Sequence, residues 1–190
     1  MRINCSALAF LYGAAFLLIL PLNWILSFFA AALFHELCHY MAIRLTGNTV
    51  HEIMVSHDGT VMATSPMPPL QELICALAGP MGSVLLLLCY PWIPRIALCA
   101  GAQGLFNLLP LYPMDGGRIF RSLMELLCPR YAAVLCRWVK NMTIFAIFLL
   151  GLWLCDGLRL GFGPAFLIIA LLSRALDGKI PCKQGKLRVQ

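Results

Sequence analysis

The chain has 190 residues, of which 61% are hydrophobic and only 12% charged, with a formal net charge of +6 and a mean hydropathy of +0.85. Soluble domains average about 45–50% apolar and about 25% charged residues, so half the usual charge is present and a water-soluble globule of this size is excluded. No basic stripe interleaves with aromatics, which removes nucleic acid as a partner.

What remains is an all-α polytopic membrane protein. The first apolar block runs from about Cys5 to Leu22 behind Met1-Arg2. It imitates a signal peptide, but no small-residue cleavage site follows, so it reads as a first anchor. The second block, Trp24 to Leu45, carries three ionisable residues: His35, Glu36 and His39. The least apolar stretch, Thr46 to Pro69, follows. Within it, Thr49 to Thr64 reads as a small β-hairpin, with strand formers on either side of Asp58-Gly59. An isolated hairpin is marginal in water, so this one is expected to lean on the helices or on the membrane interface.

The third block runs from Leu70 to about Trp92 and the fourth from Arg95 to about Pro110. Ala78/Gly82 and Gly79/Ser83 have the small-xxx-small spacing that lets helices approach closely. A turn-rich piece, Leu111 to Arg118, leads to a short amphipathic stretch, Ile119 to Leu127, then a fifth block from about Tyr131 to Cys155 and a sixth from Phe162 to Leu176. About six helices of about 20 residues each leave no room for a second folded unit, so residues 1–190 are expected to form a single membrane-embedded domain. With a cytoplasmic N-terminus, six crossings place every Lys and Arg inside except Arg95 and Arg159. The positive-inside rule therefore puts both termini in the cytoplasm. The nine cysteines include no C-x-x-C pair and lie mostly in apolar blocks, as small buried hydrophobes do.

His35-Glu36-Leu37-Cys38-His39 is an H-E-x-x-H motif. On a helix, positions i and i+4 share a face, so both imidazoles can bind one metal while the glutamate reaches its bound water. Ionisable groups near a bilayer centre cost about 2.5–3.5 kcal/mol each on insertion scales, so three of them in one apolar helix call for a function. A catalytic zinc wants three protein ligands and an open position. Asp115, Glu72, His51, His57 and Glu125 are candidates for the third. Asp115 stands among Pro110, Pro113, Gly116 and Gly117, residues that break a helix and let backbone approach closely. The orientation places it at the depth of His35 and His39. Glu72 begins its block from the same side and suits a helix first turn, whereas His51 and His57 fit an exposed hairpin. Cys38 is expected to be a packed thiol, and Arg118 and Arg121 to sit at headgroup level.

The H-E-L-C-H motif in a transmembrane block, with N-L-L-P-L-Y-P-M-D-G-G-R from Asn107 to Arg118 about 70 residues later, resembles the site-2 protease family of intramembrane zinc metalloproteases, most of all the stage IV sporulation protein FB type. The resemblance covers roughly residues 27–120. It implies one zinc per chain held by His35, His39 and Asp115, with Glu36 as the catalytic base and Asn107 holding substrate or the oxyanion. Ala78-Gly79-Pro80 resembles an A-G-P element of the family, although Ser83 stands where the family often has asparagine. No PDZ domain fits between the motifs and no CBS domain after them.

The implied activity is hydrolysis of a membrane-embedded or membrane-associated protein near the cytoplasmic face, with a sigma-factor precursor as one implied substrate. Substrate would unwind and add as a strand to the hairpin, where proline at Ile53 or Val61 should impair cleavage and spare zinc. A catalytically silent relative that only binds membrane proteins is the alternative, but its expected mark is loss of Glu36 or of a ligand, and all four residues are present. A metal transporter would need ionisable residues along several helices, and the first and sixth blocks hold none in their interiors.

Overall fold

A computed structural model describes residues 2–5, 21–56, 59–112 and 114–157. Strand β1 (Arg2–Cys5) is followed by helix α1 (Leu22–Leu45), strands β2 (Val50–Ser56) and β3 (Gly59–Thr64), and helices α2 (Pro69–Leu88), α3 (Pro94–Asn107), α4 (Asp115–Leu127) and α5 (Ala132–Gly157). Helix α2 is central, packing against α1, α3 and α4; α1 also meets α3, and α4 meets α5. The rest of the first block, the sixth block, His57, Asp58 and the basic tail from Lys179 to Arg188 lie outside the described residues.

Three of the described helices are long and apolar enough to cross a bilayer: α1 with 24 residues, α2 with 20, and Ala132–Gly151 of α5. Their outward faces account for the exposed Phe28, Phe29, Leu33, Leu85, Leu88, Phe145 and Leu149, a surface that suits hydrocarbon and not water. Three candidate spans are thus present among the described residues, where six crossings were expected, and the rest of the first block and the sixth block lie outside those residues. The fourth block loses its place because α3 has only 14 residues, a rise of about 21 Å against a hydrocarbon core of about 30 Å. Pro94 starts the helix, and at Asn107 the chain leaves it for the turns of Leu108–Met114.

The expected hairpin forms, but in a larger sheet. Three strands lie in the order β1-β2-β3, with β1 parallel and β3 antiparallel to β2. The mostly helical reading with a hairpin stands, and Arg2–Cys5 adds a third strand to that hairpin. Ile53 pairs with Ile3 on one side and Met62 on the other, so it is a central-strand position and not a neutral site for proline. The sheet does lean on the helices: Val50 and Met62 pack against a small core of Ile43 from α1, Met67 just before α2 and Cys75 within it.

A second core holds the α3–α4 connection. Leu111 and Met114 are buried against Leu109 and against Ile144 and Ile147 of α5. Gly116 lets this turn close, because a Cβ there would strike the carbonyl oxygens of Leu108 and Leu109. Asp115 is thereby fixed as the first residue of α4, pointing back towards α1.

Candidate metal centre

His35 and His39 are both buried, one turn apart on the face of α1 that meets α2. Their Nε2 atoms lie 3.2 Å apart. Asp115 Oδ2 completes a triangle, 3.0 Å from His35 Nε2 and 3.1 Å from His39 Nε2. The helix thus supplies two ligand atoms by its period, and the Leu111–Met114 plug brings in the third from far along the chain.

The outer ring nitrogens decide which atoms carry protons. His39 Nδ1 is 2.7 Å from the Cys75 carbonyl oxygen, which can only accept, so Nδ1 holds the proton and Nε2 is a bare lone pair. Asn107 Nδ2 lies 3.2 Å from His35 Nε2. An amide nitrogen can only donate, so His35 Nε2 is bare as well, and its Nδ1–H donates to Ser83 Oγ at 2.9 Å. Two imidazole lone pairs and a carboxylate oxygen therefore face one another inside the protein. Such acceptors repel unless a positive centre lies between them. A proton serves one pair at a time, whereas a divalent ion serves all three. Atoms bound tetrahedrally to one zinc at about 2.0–2.1 Å stand about 3.3 Å apart, close to the observed sides. The donor set fits the metal.

The neighbouring helix is shaped to the same end. Gly79 faces the triangle: a Cβ there would lie 2.6 Å from His35 Nε2 and against His39 Nε2. Any side chain at this position would enter the space between the ligand atoms. Pro80 follows inside α2 and brings no N–H, leaving the Ala76 carbonyl without its helical donor and disturbing this turn. The adjacent Cys75 carbonyl is the one that accepts from His39.

Glu36 is half-buried beside the cluster, within electrostatic reach of His39, His35, Asp115 and Arg118. Asn107 caps no backbone group with its side chain; it turns to the ligand face. The other candidates lie elsewhere. Glu72 is a first-turn acid of α2, and the exposed His51 bonds Ser65 Oγ at 3.0 Å. Glu125 accepts from Arg121 Nε at 2.8 Å. Arg121 is buried within the protein. Burial opposes its charge, yet the Glu125 bond outweighs that and pushes the guanidinium above its ordinary pKa. Cys38 lies against Gly82, the packed thiol the motif led us to expect. Ser83 and the Cys75 carbonyl escaped sequence reasoning; the small-residue stripe that contains Ser83 signalled close packing but not the hydrogen bond.

No family model matches the chain. It is 32% identical over 111 residues to a zinc metalloprotease of Methanocaldococcus jannaschii, a match that takes in 51% of this chain and 33% of the relative. The chain thus spans about a third of that relative's length. Among solved structures, the site-2 protease from Methanocaldococcus jannaschii superposes with a TM-score of 0.61, covering 93% of this chain and 88% of that one at 21% identity. The two share a fold.

Proposed function

We propose that this protein is an intramembrane zinc metalloendopeptidase, with a catalytic core over about residues 27–120, that hydrolyses membrane-embedded or membrane-associated proteins near the cytoplasmic face. The observation that carries the proposal is the convergence of three bare acceptor atoms, His35 Nε2, His39 Nε2 and Asp115 Oδ2, inside apolar helices. The name of the curated relative and the fold of the solved one support the same reading.

A zinc ion bound there polarises the scissile carbonyl and lowers the pKa of its water towards about 7. Glu36 takes the proton of the attacking water and passes it to the departing amine. Asn107 Nδ2, already at the ligand face, donates to the developing oxyanion, a bond of a kind worth about 2.7–4 kcal/mol elsewhere. The apolar helices exclude bulk water, which strengthens each of these interactions. Strands β1 and β3 each pair only with β2 among the described residues, and the outer edge of β3, the hairpin strand that leads into α2, is where an unwound substrate segment adds. The motif pair further supports the stage IV sporulation protein FB type, with a sigma-factor precursor as substrate and one zinc per chain, and the distribution of Lys and Arg supports cytoplasmic termini.

Asp115→Ala tests the core of this reading. Purified protein should lose stoichiometric zinc by elemental analysis and lose hydrolysis with it; undiminished hydrolysis would refute the assignment. The register turns the Val61 N–H towards β2 and the Thr60 N–H outward, so Thr60→Pro, not Val61→Pro, tests the substrate edge. Loss of one or two main-chain hydrogen bonds, worth about 0.5–1.5 kcal/mol each, should lower cleavage about tenfold with zinc content unchanged. Equal cleavage by this variant would exclude β3.

A further inference from the structure

We propose that Ser83 is the positioning residue that holds the His35 ring in its metal-binding orientation, an assignment that rests on the zinc reading above. The two imidazoles are held differently. His39 donates its Nδ1–H to a main-chain carbonyl, that of Cys75, which no side-chain change removes. His35 donates to a side chain, Ser83 Oγ, at 2.9 Å, and nothing else among the described residues holds that nitrogen. A neutral imidazole has one N–H, and only when it sits on Nδ1 is Nε2 free to bind. Asn107 Nδ2, a donor only, sets the proton on Nδ1, and Ser83 Oγ accepts it and holds the ring in place.

Its placement makes the bond rigid. Ser83 is 1% exposed, one helical turn beyond Gly79 on α2, and α3 passes so close that a Cβ on Gly104 would come 2.7 Å from Ser83 Cβ and 3.2 Å from its Oγ. The hydroxyl is thus wedged between α1 and α3. Take it away and the ring of His35 loses its anchor: it is free to turn about χ2, and that change withdraws a ligand atom from the ion.

Ser122 supplies the matched control. It is as buried as Ser83, at 0% exposure, also helical, and its Oγ has no hydrogen-bond partner among the described residues. In full-length protein purified in detergent, Ser83→Ala should weaken zinc affinity about 10–100-fold, the usual effect of losing such an outer partner, measured by competition with a chelator. The visible bands of the cobalt(II)-loaded protein should shift, and helix content should stay unchanged. Ser122→Ala should keep the parent's zinc affinity and cobalt spectrum. Parent-like affinity and spectrum in Ser83→Ala would overturn the assignment alone, as would an equal loss in Ser122→Ala. A parent protein that binds no zinc would overturn the metalloprotease reading first.

Discussion

Glu36→Gln should leave zinc bound and lower proteolysis by about 10²–10⁴-fold. The amide matches the carboxylate in size and keeps its place beside His35 and His39, and neither histidine nor Asp115 relies on Glu36 for its hydrogen bonds. What glutamine cannot do is accept a proton at neutral pH. Mass-spectrometric comparison of membrane proteomes carrying the parent or the variant reads the result and identifies the substrate together. Proteins accumulating uncut only with Glu36→Gln are the expected outcome. Proteomes that do not differ, with zinc present in both proteins, would mean that the chain binds membrane proteins without cutting them.

Gly79→Ala is the second large effect, and its sign runs against helix propensity. Alanine favours a helix interior over glycine by about 1 kcal/mol, so α2 itself gains. The added methyl, however, falls into the triangle, where it meets both Nε2 atoms and His39 Cε1 at 2.6 Å. The ligand atoms must separate, and metal geometry tolerates only about ±0.2 Å. Zinc content should drop sharply and turnover fall by at least about 10²-fold, with the circular dichroism of the helices preserved. A fully zinc-loaded, active Gly79→Ala protein would show that α2 does not approach α1 as described.

How much of this was legible beforehand depended on whether the information was local. The i, i+4 spacing of His35 and His39 follows from helical period alone, and the two prolines and two glycines around Asp115 announced a chain reversal. Both readings needed only neighbouring residues. The length of α3 was hidden because Leu108, Leu109 and Leu111 continue the apolar run beyond Asn107 while their backbone has already left the helix. The pairing of Arg2–Cys5 with Glu52–Val55 joins segments that share no local signal, so the N-terminal residues looked like the approach to an anchor. The bond from His35 to Ser83 spans 48 residues and exists only once α1 and α2 have docked. Glycine and serine at helical spacing indicate that two helices can come close, not what they exchange when they do.

His39 and Asp115 stand 76 residues apart, and the stretch between them carries β2, β3, α2 and α3. An ion grasped from both ends is a clasp on that ring of chain, and unfolding has to undo it. Each tenfold excess of free zinc over its dissociation constant then adds about 1.4 kcal/mol to the folded state. Chelation should lower the melting temperature and returned zinc restore it; melting indifferent to metal would mean that helix packing alone keeps the ring shut. Zinc supply in the cell thus sets how long each copy persists as well as how fast it cuts.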